Sequence, residues 1–135
     1  MRLFIDTNIL IDLLDTEREE HENAVTFFSI AKANGVHLFT TGDVIATAAY
    51  YVNNAAVFSQ MMAKMNPFLR ILPMTNDILS KVNERKHPDY EDLMHIVCAE
   101  ENGMSAIMTR DKKHYERYTH LPILSERDFL SARKN

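Results

Sequence analysis

The sequence predicts an α/β fold: a three-layer α/β/α sandwich around a central parallel sheet, with a two-helix arm inserted after the second strand. Three observations carry this. Short β-rich runs recur along the chain, helix-length segments separate them, and an aspartate stands within a few residues of the end of most runs. Strand alternating with helix makes β-α-β units, whose right-handed crossovers place helices on both faces of a parallel sheet.

The first strand is the apolar run 3–5, ended by Asp6 before a second apolar run, Ile9-Leu10-Ile11. A helix over 17–33 is acidic at its start and carries Lys32 near its end. It sets Ala24, Phe27, Phe28 and Ala31 on one face and stops at Asn34-Gly35. Strand 37–41 leads into a helical pair, 43–51 and 55–65, broken near Asn53-Asn54. Strand 69–74 precedes a helix over 76–86 that stops before Pro88, and a helix over 90–102 stops at Gly103. Strand 105–109, a weaker strand 121–124 and a helix over 125–132 close the chain. No linker, repeat or low-complexity stretch divides it, so residues 1–135 are expected to form a single domain.

Composition sets the bounds. With 46% hydrophobic and 25% charged residues over 135 positions, the chain has the make-up of a soluble globular domain able to bury a core without disulfides. The single cysteine, Cys98, lies inside the apolar run "LMHIVCA" and is assigned to the core. Arg2, Asp6 and Asp12 interrupt the start, so no signal peptide is expected there. No apolar run is long enough to span a bilayer, and the expected location is the cytoplasm. A net charge of −4 argues against indiscriminate nucleic-acid binding and leaves room for a local basic patch.

The acids carry the chemistry. Open parallel sheets place their sites at the carboxyl ends of the strands. Asp6, Asp43, Asp77 and Asp111 follow successive strands, and Asp92 joins from the first turn of the helix feeding strand four. Carboxylates gathered on one edge repel unless a cation sits among them, and hard oxygen ligands suit Mg²⁺ or Mn²⁺. Helix capping competes as an explanation. Asp43 after Gly42 reads as an N-cap, Asp77 as a cap or first-turn acid, and Asp89 as the cap of the following helix. Asp111 competes for the cap of a short helix through Tyr115. Asp6 has Thr7 and Asn8 beside it as alternative caps, so a cation is the better answer to its charge. Removing that charge is then expected to relieve repulsion and slightly stabilise the fold.

"FIDTNILID", "DYEDLMHIVCAEENG" and "SAIMTRDKKHY" resemble, in order and spacing, the three best-marked segments of the PIN-domain family, across essentially the whole chain. The resemblance implies a metal-dependent ribonuclease fold, used by toxins of toxin–antitoxin pairs and by RNA-processing enzymes. By position it makes Asp6 the first acid, Asp92 the third and Asp111 the fourth, with Asn8 and Thr109 as polar supports. The family's second acid is usually a Glu in the helix after strand two. In "FTTGDVIATAAYY" that place falls near Ala46. Asp43, three residues earlier, shares a helical face with Ala46. Either Asp43 stands in for the missing acid or the site is one ligand short.

Such a cluster supports phosphodiester hydrolysis, in which metal ions roughly 4 Å apart activate water and hold the phosphate and the leaving oxygen. Arg110, Lys112 and Lys113 flank Asp111 and are the expected RNA-backbone contacts, with Arg85, Lys86 and His87 as further candidates. His21, His37, His95, His114 and His120 show no metal-ligand spacing and are assigned to packing or surface. A phospho-acceptor receiver domain would want paired acids after strand one, and a haloacid-dehalogenase-type phosphatase would want D-x-D there. Asp6-Thr7-Asn8 offers neither. The stronger rival is a catalytically degenerate PIN domain acting as an RNA- or protein-binding module. Phe58, Met61, Met62, Met65 and Phe68 recur at helical spacing beside Tyr50 and Tyr51. They form either core or a seam for a homodimer or an antitoxin.

Overall fold

The computed structural model describes residues 1–133; Lys134 and Asn135, the end of the expected domain, lie outside the described residues. The elements run β1 (Arg2–Ile5), α1 (Thr7–Leu14), α2 (His21–Ala33), β2 (His37–Thr41), α3 (Gly42–Val52), α4 (Ala55–Met65), β3 (Leu69–Leu72), α5 (Asn76–Asn83), α6 (Tyr90–Glu101), β4 (Ala106–Met108), α7 (Lys112–Tyr115), β5 (Ile123–Leu124) and α8 (Glu126–Arg133). The sheet has five strands in the order β3-β2-β1-β4-β5. All neighbours are parallel, with Phe4 opposite both Phe39 of β2 and Ile107 of β4. The central strands are buried along nearly their whole length, which requires helices over both faces. Edge strand β3 instead turns Arg70 and Ile71 outward. On one side α1 packs against α2 and α3, and α2 against α8; α5 packs against α6.

Several ends differ from the periodicity, each for a local reason. α1 occupies the run 7–14, whose β-branched Ile9 and Ile11 disguise a helix that Asp6 starts. Asp6 is its N-cap, accepting from Thr7 N at 2.8 Å, so this carboxylate does cap. The second helix begins at His21 rather than residue 17, because residues 15–18 turn on the Asp15 side chain, which accepts from Glu17 N. Strand β3 stops at Leu72 before Pro73, and β5 begins only after Pro122. The fifth helix ends at Asn83, short of residue 86. Asn53, in the left-handed region at φ 55, ends α3, and Asn54 caps α4 through Val57 N. Gly103, at φ 67, turns the chain out of α6 while Met104 N bonds back to Ala99 O.

The topology creates one switch point. From β1 the chain steps outward through β2 to β3, then crosses to the other side of β1 to build β4 and β5. The carboxyl ends of β1 and β4 therefore flank a crevice where loops diverge, the position at which open α/β sheets bind ligands.

Candidate metal centre

Asp6 and Thr109 stand on either side of that crevice. Asp6 ends β1 and Thr109 follows β4, both almost or wholly buried, and Thr109 Oγ1 donates to Asp6 Oδ2 at 2.7 Å. The same hydroxyl accepts from Asp111 N at 3.1 Å, so one threonine fixes both the first acid and the turn carrying the fourth. Asn8 is half-buried in the first turn of α1.

His95 reaches the crevice from the middle of α6, only 1% exposed. Its Nε2 lies 2.6 Å from Asp43 Oδ2, and its Nδ1 lies 3.5 Å from Asp6 Oδ1 and 3.3 Å from the Tyr115 hydroxyl. Burial alone would lower its pKa, but the flanking Asp43 and Asp6 carboxylates outweigh burial and raise it to about 10. Reciprocally, burial would raise Asp6 and Asp43, yet the imidazolium holds both below the usual carboxylate range. The histidine is therefore packed in the interior as expected, against Phe4, but its ring nitrogens face the Asp43 and Asp6 carboxylates, which the sequence alone does not reveal.

Asp43 is not the cap of α3. Thr41 holds that position, and Asp43 sits in the first turn, where the helix dipole favours an acid and the side chain is free to reach His95. Glu91, one turn before His95 on α6, joins them. Among the described residues, Asp43, Glu91 and His95 place one ligand atom each within 4.8 Å of one another. Burial and then the Asp43 carboxyl push Glu91 upward. Glu91 and His95 stand at i and i+4, a spacing that puts both on one face of a helix and was the available signal for them. Ala46, near which the resemblance places the family's Glu, is exposed on α3.

Asp92 accepts from Tyr115 at 3.2 Å, and His114 Nδ1 lies 2.9 Å from its other oxygen. Burial, with the nearby Asp89 and Asp6 charges, raises the Asp92 pKa despite the His114 contact. His114 is in turn raised, first by Asp92 and then by the Asp111 charge. Asp111 is about half exposed at the start of α7. Asp89 caps α6, accepting from Asp92 N at 3.0 Å, and so sets the angle at which Asp92 enters.

The basic candidates divide. Arg110 is folded inward on the fully buried Asp12, with contacts of 2.9 and 3.1 Å. Lys112 pairs with Asp128 at 2.7 Å, while Lys113 is exposed. Arg85 pairs with Glu100, the His87 ring lies against Tyr118, and Lys86 is exposed.

A divalent cation fits this arrangement. Asp6 at the end of β1, Asp92 near enough to feel its charge, and the Asp111 turn tied to the same Thr109 hydroxyl face one crevice, while the ligand atoms that lie within 4.8 Å of one another among the described residues are those of Asp43, Glu91 and His95. Carboxylate oxygens such as those of Asp6, Asp92 and Asp111 are hard donors of the kind that Mg²⁺ and Mn²⁺ bind.

Comparison with known proteins agrees with the geometry. The chain is 26% identical over 136 residues to ribonuclease VapC1 of Aquifex aeolicus, covering 95% of this chain and 92% of that protein. Its fold is similar to Mycobacterium tuberculosis VapC20, described as a sarcin–ricin loop cleaving toxin, at a TM-score of 0.65 and 14% identity over 86% of this chain and 95% of that one. It is also similar to a chain of VapBC2 from Rickettsia felis, solved bound to a DNA fragment from its promoter, at a TM-score of 0.70 and 14% identity over 93% and 98%. The PIN-domain family profile matches residues 2–113, and the chain belongs to that family.

Proposed function

We propose that this PIN domain is a divalent-metal-dependent endoribonuclease, a hydrolase of RNA phosphodiester bonds and the toxin of a toxin–antitoxin pair. The observation that carries the reading is the buried Asp6 carboxylate at the sheet's switch point, held by the Thr109 hydroxyl that also holds the Asp111 turn, with Asp92 near enough to feel its charge. The name of the Aquifex aeolicus relative and the description of the Mycobacterium tuberculosis toxin support the same reaction class. Asp6, Asp92 and Asp111 would hold Mg²⁺ or Mn²⁺, and the bound ion supplies an activated water and neutralises charge on the phosphate. Thr109 fixes the Asp6 rotamer, Tyr115 orients Asp92, and Asp89 positions the first turn of α6. Lys113 is the exposed cation best placed to meet an RNA phosphate, since Arg110 and Lys112 are engaged with Asp12 and Asp128. An antitoxin protein and a second copy of this chain are the expected protein partners. No helix among the described residues is long and apolar enough to cross a membrane.

The test is cleavage of a short single-stranded RNA with Mg²⁺ or Mn²⁺. Wild type should cut and Asp92→Asn should lose at least about two orders of magnitude, the scale on which a charge-stabilising group contributes. A metal-independent cut that survives Asp92→Asn would sink the proposal. The exposed Ala46 favours a second reading, a degenerate module that binds RNA without cutting it. That reading predicts retained binding and no cleavage by wild type.

A further inference from the structure

The ribonuclease reading uses Asp6, Asp92 and Asp111, and leaves the Asp43–Glu91–His95 group unused. We propose that these three residues form a second divalent-metal position, and that its nitrogen ligand makes it take a transition ion such as Mn²⁺ in preference to Mg²⁺. The inference rests on the metal-centre reading only for the presence of a neighbouring Asp6 site.

The geometry is close to a ligand set already. In an octahedron with bonds of about 2.1 Å, adjacent ligand atoms lie ~3.0 Å apart and opposite ones ~4.2 Å. His95 Nε2 and Asp43 Oδ2 are 2.6 Å apart, so a few tenths of an ångström of opening would admit an ion between them. Asp43 can give that much, because it lies in the first turn of α3 with its side chain 26% exposed. Glu91 completes a triangle in which all three ligand atoms fall within 4.8 Å. Glu91 is half-buried, so it too can adjust and leaves a face open for waters.

Two further features point to a ligand. Thr41 is 0% exposed, and its hydroxyl is near the Asp43 carboxylate but makes no hydrogen bond of good geometry among the described residues. A buried hydroxyl left unsatisfied costs stability unless a bound ion or its water completes it. The other ring nitrogen of His95 faces Asp6 at 3.5 Å. A carboxylate behind the distal nitrogen is how metal-ligating histidines are oriented, and it leaves Nε2 aimed at Asp43 and Glu91. As an ion enters, Nε2 gives up its proton to solvent. Imidazole favours Mn²⁺ and the later transition ions over Mg²⁺, which demands oxygen donors. The set would thus do for this chain what a glutamate near position 46 does in the family's usual pattern, with a different metal preference.

The experiment is Mn²⁺ and Mg²⁺ titration of the full chain, with pulsed electron paramagnetic resonance of the bound Mn²⁺. Wild type should show nitrogen coupling from one imidazole, and His95→Gln should lose it along with roughly tenfold or more in Mn²⁺ affinity. Glu91→Gln provides a variant free of core contacts. It should weaken Mn²⁺ comparably and leave the Mg²⁺ thermal shift unchanged. Bound Mn²⁺ without nitrogen coupling, or Glu91→Gln binding Mn²⁺ as wild type does, overturns the second site. The ribonuclease reading is judged separately, by loss of Mg²⁺-supported RNA cleavage in Asp92→Asn.

Discussion

At the scale of single residues, Asp6 shows how one side chain serves fold and site together. It starts α1, receives Thr109, and faces a buried imidazolium. The expectation that neutralising it would slightly stabilise the fold assumed only carboxylates around it, and His95 reverses the sign. Asp6→Asn leaves His95 with one fewer counter-charge in a buried setting, at a cost of about 1–3 kcal/mol. The chain should stay folded, melt several degrees lower and lose most of its Mg²⁺ stabilisation. Melting curves with and without Mg²⁺ check this, and an unchanged Mg²⁺ shift would remove Asp6 from the ligand set. Asp6 and Asp111 could be proposed from sequence because strand ends are visible as the place where apolar runs stop, and Asp92 because it falls in the first turn of the helix over 90–102. His95 could not be found so directly. A lone histidine on an apolar helix face looks like packing until the fold brings Asp43, distant in sequence, to within 2.6 Å. Arg110 looked available for RNA for the same reason: Asp12, its partner, lies 98 residues away.

At the scale of elements, the strands and most helices were legible because their periods differ, and the errors fell where local chemistry overrode period. α1 was hidden by its β-branched residues and revealed only by its cap. The ends of β3 and β5 were trimmed by Pro73 and Pro122. The α3–α4 arm is the most telling case. Its apolar helical spacing was ambiguous between core and seam, and the structure divides it. Phe58 and Met65 are buried, whereas Tyr50 is 86% and Tyr51 47% exposed. The two tyrosines line a groove of about 460 Å³ together with Ile11 and Thr47. Exposed aromatics of this kind mark protein interfaces. A second copy seated on this face would make the protein a dimer at micromolar concentration, and Tyr50→Glu should give a monomer with an unchanged melting temperature. Light scattering decides, and a wild-type monomer would end the idea.

At the scale of the whole molecule, a buried charge network joins the two ends of the chain behind the site. Asp12 of α1 is fully buried and receives Arg18 and Arg110, the latter adjacent to Asp111. Glu126, at the start of α8, is 0% exposed and lies against the same aspartate. Burial, and then the Asp12 carboxyl, push Glu126 up from 4.5 to about 9, which keeps it protonated at neutral pH. The unfolded chain ionises Glu126 near its ordinary value while the folded chain keeps the proton. Between the two values the folded state therefore binds more protons, and stability falls as pH rises. His95 acts in the same direction at higher pH: its folded-state value is raised from 6.5 to about 10, so its contribution is complete below 6.5 and is lost on passing 10. Asp6 and Asp43, both lowered, contribute above their ordinary value and are lost in acid. Stability should consequently peak in mildly acidic solution and decline towards pH 9. Glu126→Gln separates the network from the site. Its amide has the size of the protonated acid and, like it, carries no charge beside Asp12, but has no proton to lose. Its melting temperature should match wild type near pH 5, exceed it by several degrees at pH 8, and fall less steeply between them. Thermal melts across that range test the linkage, and a variant that melts below wild type at pH 8 would show that Glu126 is held ionised by Arg110 and Arg18.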